Sequence, residues 1–462
     1  MRDTEPVLRA RTDDHAVVLG GSMAGLLAAR VLSEHFARVT VVERDVLPEA
    51  AAHRRGVPQG RHVHAVLPRG AELLEELFEG LTADLHGAGA ITGSGAHDVR
   101  LLLSGHRLAP IASSLRRLFV SRPLLEATIR ARVRTLPGVT VLDGHAVQGL
   151  VATPDGRRVI GVRLSHPPGS DGELTLAADM VMDATGRGSR LPAWLSDMGY
   201  PVPRRDEVRV GVRYASRAFR LRPGALGGDR LLIVGVSRGC PRLGALTTIE
   251  GGVHLCSLAG VLGDAPPTDL EGFLGFARSL TFPDLHDVIV DAEPLDDGAV
   301  FGYPANVRVR YDLLKRFPAG LLAIGDALCA FNPTYGQGMT VAATEAAALR
   351  RMLASGAVPA AGAYFRKMAR VIALPWNLTV GADLANPAVE GRRTPLVRLV
   401  NAYIPRFHAA AARDPRLAEA FMRVQSLIDP PPSLLRPDRV ARVLLATRRR
   451  GPVARATAAS PV

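Results

Sequence analysis

The first unbroken apolar run, Ala16–Leu19, stops at a turn that holds three glycines between positions 20 and 25. A short apolar run closed by glycines predicts a buried strand. The segment LLAARVLSEH, 26–35, follows with little alternation and predicts a helix covered on several sides. ARVTVVERD, 37–45, predicts a second strand that ends in charge. Strand, turn, helix and strand in this order form a βαβ start, the opening of a doubly wound sheet. Residues 46–68 are polar and predict a long loop. LLEELFEGL, 73–81, predicts a short helix. The segment 121–136 predicts an amphipathic helix with Leu124, Leu125, Ile129 and Val133 on one face. Two strand patterns then flank a hairpin turn at Pro154–Arg158, and an apolar strand leads into the glycine-rich DATGRGSR, 183–190.

From about 200 to 310 the period changes. VRVGVRYASRAF, LLIVGV, GALTTIE and GVHLCSLAG alternate as strands do, with one helix at DLEGFLGFARSL. This predicts a mostly antiparallel sheet inserted in the chain. From Leu321 the first pattern resumes as strand, loop and a long Ala-rich helix, and residues 360–448 read as helices broken at Pro375, Pro387 and Pro430–Pro432. The expected class is α/β. A Rossmann-like domain comprises 14–199 and 311–358, a β-sheet domain 200–310 and a helical C-terminal region 359–448. Disordered ends are expected at 1–13 and 449–462.

Composition narrows the picture. A chain of 462 residues exceeds one ordinary core. No run is long and apolar enough for a transmembrane span, and the polar N-terminus lacks the apolar stretch of a secretory signal. Three cysteines, Cys240, Cys256 and Cys329, show no CxxC spacing, so neither a disulfide framework nor a metal site is expected, and a cytoplasmic setting fits. The net charge of +13 is almost all arginine, since lysine occurs only at 315 and 367. The arginines are scattered rather than interleaved with stacking aromatics, which argues against a nucleic-acid partner.

Three stretches carry candidate chemistry. In Gly20-x-Ser22-x-x-Gly25 the first glycine permits the sharp turn, the middle position faces a pyrophosphate and the last lets helix pack on strand. The helix N-terminus then offers free N–H groups to phosphate. Glu43 ends the second strand, where an acid can bind a ribose diol. Asp183 and Gly186 belong to the second stretch. In the third, 323–339, Gly325-Asp326 can bind a polyol, and Pro333-Thr-Tyr-Gly336-Gln-Gly338 bares a backbone against which a flat ring could lie. A helix starting near Met339 would favour negative charge on that ring.

These three motifs, in this order and at these distances, resemble the single-component flavoprotein monooxygenases of the p-hydroxybenzoate hydroxylase fold, over about residues 14–350. HRRGVPQGRHVHAVLPRGAELLEELFEG, SRPLLEATIR, DATGRGSRLPAWL and GDALCAFNPTYGQGM look in particular like the bacterial flavin-dependent polyene epoxidases of polyether ionophore biosynthesis, which also carry G-x-S-M-A-G. The resemblance implies that Gly20, Ser22, Met23, Ala24, Gly25, Glu43 and Arg44 hold the ADP part of FAD. Arg54, Gln59 and Arg122 would contact its ribityl–phosphate region. Asp183, Gly186, Gly325 and Asp326 count among the cofactor residues, with Asp326 on ribityl or pyrophosphate-linked groups. Pro333, Gly336, Gly338 and Met339 would line the isoalloxazine. Arg61, His62 and His64 lie in a matched stretch with no role assigned.

The implied reaction is reduction of FAD by a transient NAD(P)H, formation of a C4a-hydroperoxide from O₂, and transfer of its distal oxygen to a C=C bond of a hydrophobic polyketide or terpenoid. The cofactor carries the chemistry and the protein positions and dries it. An aromatic hydroxylase of the same fold remains open, with Tyr214, His254 or Tyr303 as candidate pocket residues. So does an isoprenoid reductase or cyclase. A flavin halogenase is disfavoured, because its catalytic lysine and WxWxIP stretch have no counterpart here. A non-catalytic FAD-binding protein is the reading from a different class.

Overall fold

Five strands form an all-parallel sheet in the order Leu321–Ala323, Met180–Asp183, His15–Leu19, Arg38–Val42, Val139–Leu142 in the computed structural model, which describes residues 14–64, 66–94, 98–111, 115–165 and 173–448. The expected end segments 1–13 and 449–462 lie outside the described residues. Ala16–Leu19 are fully buried, as a central strand covered on both faces requires. The helix that follows spans Met23–Leu32, starting and ending three residues earlier than expected. Its first turn belongs to the glycine motif, so the motif and the helix start are one feature. The C-terminal strand ends place Gly20, Glu43, Ala184 and Gly325 along one edge of the sheet. Ligands bind at that edge in open parallel sheets.

The predicted helix at 73–81 is two helices, Pro68–Leu77 and Leu81–Gly87. Pro68 sits at the first helical position, where its missing N–H costs nothing. Gly80, at φ 81, breaks the run before Leu81. The helix Arg122–Arg134 matches expectation, with Leu125, Ile129 and Val133 buried, while Leu124 is half-buried.

The second large sheet is mostly antiparallel and has nine strands. Its centre is the 16-residue strand Arg205–Arg220, which pairs Ala299–Val309 on one side and His254–Gly260 on the other. The strands Arg242–Thr248 and Leu231–Val234 follow. The next strand, Val99–Leu103, joins in parallel and comes from a stretch expected to lie wholly in the Rossmann-like unit. Two helices rather than one, Leu270–Arg278 and Asp284–Ile289, cover one face of this sheet.

The C-terminal region is helical, but Pro375 does not break it: Ala361–Asp383 runs through as one helix. A mid-helix proline costs about 3 kcal/mol. Buried Tyr364, Met368, Ile372 and Trp376 pack along the same helix, and each such side chain contributes roughly 1.5–3 kcal/mol. Packing therefore wins.

Candidate functional site

The three motifs, widely separated in the chain, meet through their glycines. Gly20 has φ 104, and a Cβ there would stand 2.6 Å from the Ala184 carbonyl oxygen of the DATG turn. A Cβ at Gly25 would collide with the Gly20 carbonyl oxygen. Gly325, at φ 70, approaches so closely that its Cβ would lie 2.6 Å from the Cβ of Ala24. Gly186, also left-handed at φ 75, faces Asp326 at 3.9 Å by the same measure. Glycine is needed at these positions because three backbone turns share one junction.

Ser22 occupies the N-cap position of the helix Met23–Leu32 in extended geometry (φ −96°, ψ −173°), yet it makes no capping bond. Its hydroxyl turns the other way. It donates to Glu126 Oε2 at 2.9 Å and accepts from an Arg122 guanidinium nitrogen at 2.8 Å. The first N–H groups of the helix therefore keep no side-chain partner, the state an incoming phosphate needs.

Behind the turn lies a buried ion network. Arg54 contacts Glu126 at 2.8 Å, Asp45 at 3.0 Å and Glu43 at 3.2 Å, and Arg122 contacts Glu126 at 2.9 Å. Burial alone would push the Glu126 carboxyl up, but Arg122 and Arg54 hold it below the usual carboxylate range. Burial opposes the charge on Arg54, and Glu126 and Glu43 more than restore it. Glu43 accepts from the Gly21 N–H at 2.8 Å and the Asp45 N–H at 3.0 Å, so much of its acceptor capacity holds the turn. Arg44 is exposed. Gln59 is half-buried in the short turn Pro58–Arg61. Glu126 and Asp45 were not among the expected residues, although Arg122 and Glu126 stand at the i,i+4 spacing of a helical ion pair.

The second turn is held from within. Asp183 is fully buried and accepts from the Thr185 N–H at 2.9 Å and from the hydroxyls of Thr185 and Ser189. It shapes the turn and has no surface open to a ligand. Thr185 and Arg187, on the same turn, are exposed. The Arg187 guanidinium lies over the rings of Phe301 and Tyr303, at 5.0 and 5.3 Å.

Asp326 has an exposed side chain, yet surrounding protein pushes its carboxyl above the usual range, opposed by Arg187 and Arg122. Both properties belong to a group lining a deep cleft, open to water but walled by protein. Behind it, Glu345 on the helix Gly338–Leu353 is fully buried. One of its oxygens accepts the Gly325 N–H at 2.7 Å, the other has no partner, and burial pushes its carboxyl up to about 8. Pro333 and Gly338 are exposed, Gly336 is half-buried and left-handed, and Met339 is buried. A Cβ at Gly338 would meet nothing within 4 Å, so the backbone there borders open space. Glycine junction, free helix N-terminus, open acid and bare backbone beside a second helix N-terminus fit a dinucleotide carrying a flat ring, as FAD does.

The facing wall comes from the antiparallel sheet. Tyr214 stands directly across from Phe301 and Ala259, and Tyr303 across from Val212, so these side chains share one face. His254 stands across from Phe219, an odd number of residues further along. It therefore lies on the opposite face, under the helices that bury Phe219 against Phe273. The structure does not bring it together with Tyr214 and Tyr303.

His62 ties the long loop to this wall. Its ring meets Tyr214 edge-on at 4.5 Å, and its Nδ1 is 2.8 Å from the Ser216 hydroxyl, which in turn bonds Ser257. Burial, then Arg61 and His53, push the imidazole down to about 4, so it is neutral at pH 7. His64 Nδ1 bonds the His62 carbonyl at 2.9 Å, and burial followed by Arg122 pushes it down to about 3. Further along the same face, Ala218, Leu255 and Ala299 join Gly60 and Arg61 around a cavity of about 580 Å³. Among the described residues no group of His, Cys, Asp or Glu could hold a metal ion, and no helix is long and apolar enough to cross a membrane. Cys329 is buried and its thiol pushed up by burial.

No protein-family model matches the chain. It is similar to protein Rv3254 of Mycobacterium tuberculosis (strain ATCC 25618 / H37Rv), with 37% identity over 433 residues covering 90% of each chain. Among solved structures it is similar to the flavin-dependent brominase Bmp2, with a TM-score of 0.62 and 17% identity over 89% of this chain and 93% of that one. It is also similar to p-nitrophenol 4-monooxygenase PnpA from Pseudomonas putida DLL-E4, with a TM-score of 0.63 and 17% identity over 90% of this chain and 98% of that one. At such identities the likeness to the two structures is one of fold alone.

Proposed function

This chain belongs to the same family as protein Rv3254 of Mycobacterium tuberculosis, and from that premise and its fold we propose that it is an FAD-dependent monooxygenase that epoxidises a C=C bond of a hydrophobic natural-product intermediate. The observation that carries the reading is the junction of Gly20, Ala24, Ala184, Gly186, Gly325 and Asp326 at the C-terminal edge of the parallel sheet. Bound FAD, reduced by NAD(P)H, would supply the activated oxygen from O₂.

The chain's own residues do the rest. The helix N-terminus after Ser22 takes the pyrophosphate, and the Arg54–Glu126–Arg122 network stiffens it from behind. Asp326 accepts polyol hydrogen bonds in the cleft. The backbone of 333–338 would hold the flat ring, and the N-terminus of Gly338–Leu353 would favour negative charge there. The apolar wall of Tyr214, Phe301, Tyr303 and Ala259 excludes water opposite the ring. The remote part of an elongated substrate occupies the cavity of about 580 Å³, a volume typical of ligand pockets.

Oxygen transfer to an alkene needs no protein base, and the imidazole on the wall, His62, is a weak one, pushed down to about 4 by burial. Burial pushes the phenols of Tyr214 and Tyr303 well up, so neither would deprotonate a phenolic substrate. That favours epoxidation over aromatic hydroxylation. Lys315 and Lys367 are both exposed, and neither stands on the strands that form the wall, which disfavours a halogenase. The test is to purify the protein, release its flavin by denaturation, and assay linear alkene-bearing polyketides and phenols with NAD(P)H and O₂. A one-oxygen mass gain on the alkenes is expected. A colourless protein that takes up no FAD would overturn the reading.

A further inference from the structure

The helix Ala361–Asp383 ends on a carboxylate in an unfavourable place. Asp383 is 8% exposed, and it sits at a helix C-terminus, where the helix dipole disfavours negative charge. Among the described residues no cation pairs with it. Burial pushes its carboxyl up, and three hydrogen bonds oppose that push. Such a group is costly to keep unless its bonds hold something in place.

All three donors bear on the loop proposed to cradle the flavin ring. Asn332 Nδ2 donates to Asp383 Oδ1 at 2.9 Å, the Tyr335 hydroxyl donates to the same oxygen at 2.9 Å, and Asn306 Nδ2 donates to Oδ2 at 2.7 Å. Asn306 in turn accepts the Asn332 N–H at 2.6 Å. Asn332 closes the turn by accepting from the N–H of Thr334 at 3.1 Å and its hydroxyl at 2.8 Å. One helical turn earlier, the Thr379 hydroxyl donates to Gln337 Oε1 at 3.1 Å. The helix thus grips the loop at Asn332, Tyr335 and Gln337.

We infer that Asp383 is the positioning residue of the flavin loop, through which the C-terminal helical region sets flavin affinity and potential. This rests on the FAD reading above. Every partner is a donor, so the bonded form is the ionised, acceptor-only carboxylate. An asparagine there keeps the size but turns one acceptor into a donor facing a donor. A buried anion bonded to the loop that would hold the ring also disfavours the extra electron density of a reduced flavin, so its removal would move the potential upward.

The test compares full-length wild type with Asp383→Asn and Tyr335→Phe. Expected for Asp383→Asn are FAD binding weaker by about tenfold or more, a more positive midpoint potential in the holoprotein, and faster amide exchange at 332–338 in the FAD-free protein. Tyr335→Phe removes one hydroxyl, so it shifts affinity and exchange the same way by less, and it decides the matter if Asp383→Asn does not fold. Wild-type values for all three readouts in a wild type that binds FAD would overturn the inference and leave the function standing. A wild type that takes up no FAD would sink the function, while amide exchange would still decide whether Asp383 holds the loop.

Discussion

The hydroxyl of Ser22 donates to Glu126 Oε2 at 2.9 Å across 104 residues of sequence. The residue in place of the usual middle glycine therefore serves the buried ion network rather than the ligand side of the turn. Ser22→Ala removes that bond while leaving an extended backbone that alanine adopts freely. We expect a loss of about 1.5 kcal/mol in unfolding free energy with FAD content unchanged. Glu126→Ala strands Arg54 and Arg122 and should cost about 3 kcal/mol or more. Denaturant unfolding with flavin quantitation checks both, and a large loss of FAD in folded Ser22→Ala would contradict the orientation of the hydroxyl.

Asp326 is the open acid of the cleft. Asp326→Ala should lower FAD affinity by roughly 10- to 100-fold, the worth of one charge-assisted hydrogen bond. Flavin fluorescence titration reads this directly, and wild-type FAD content would refute the assignment.

Glu345 gives a pH signature. Burial pushes its folded carboxyl up to about 8 from the ordinary 4.5. Between those values the folded state binds the proton that the unfolded state releases. The penalty is absent below the lower value, grows as pH rises and is complete above the higher one, at a slope of up to about 1.4 kcal/mol per pH unit. Glu345→Gln keeps an acceptor for the Gly325 N–H and removes the titration. Its thermal midpoint should overtake wild type progressively from about pH 5 to pH 8. Parallel profiles would count against a protonated Glu345.

The two sheet faces make opposite predictions. His254 lies on the face turned away from the cleft, so His254→Ala should lower stability while kcat/KM of the folded variant stays within about twofold of wild type. Phe301→Ala opens the wall facing the cleft and should lower kcat/KM by about tenfold or more through lost packing. Equal losses from the two variants would contradict the face assignment.

Much of the fold was legible because it is written locally. An apolar run, a glycine turn, a helix and a strand ending in Glu43 occupy one short stretch, and turn chemistry and periodicity report such units without knowing the rest of the chain. The third motif was legible for the same reason: Gly325, Asp326 and the bare loop to Gly338 are adjacent. Tertiary contacts decided what the motifs do to one another. Nothing near Ser22 names Glu126, and nothing in the DATG stretch says that Asp183 spends its oxygens inside its own turn while Arg187 reaches the aromatic wall. His254 fell on the wrong face because strand side chains alternate with period two, so the register of one pairing decides between two opposite environments. Pro375 reads as a break in the sequence because its local cost is plain, whereas the burial that outweighs it comes from distant elements. By itself the sequence determined the units and their order; packing over hundreds of residues chose which polar groups are buried, which of them meet, and which remain open to a ligand.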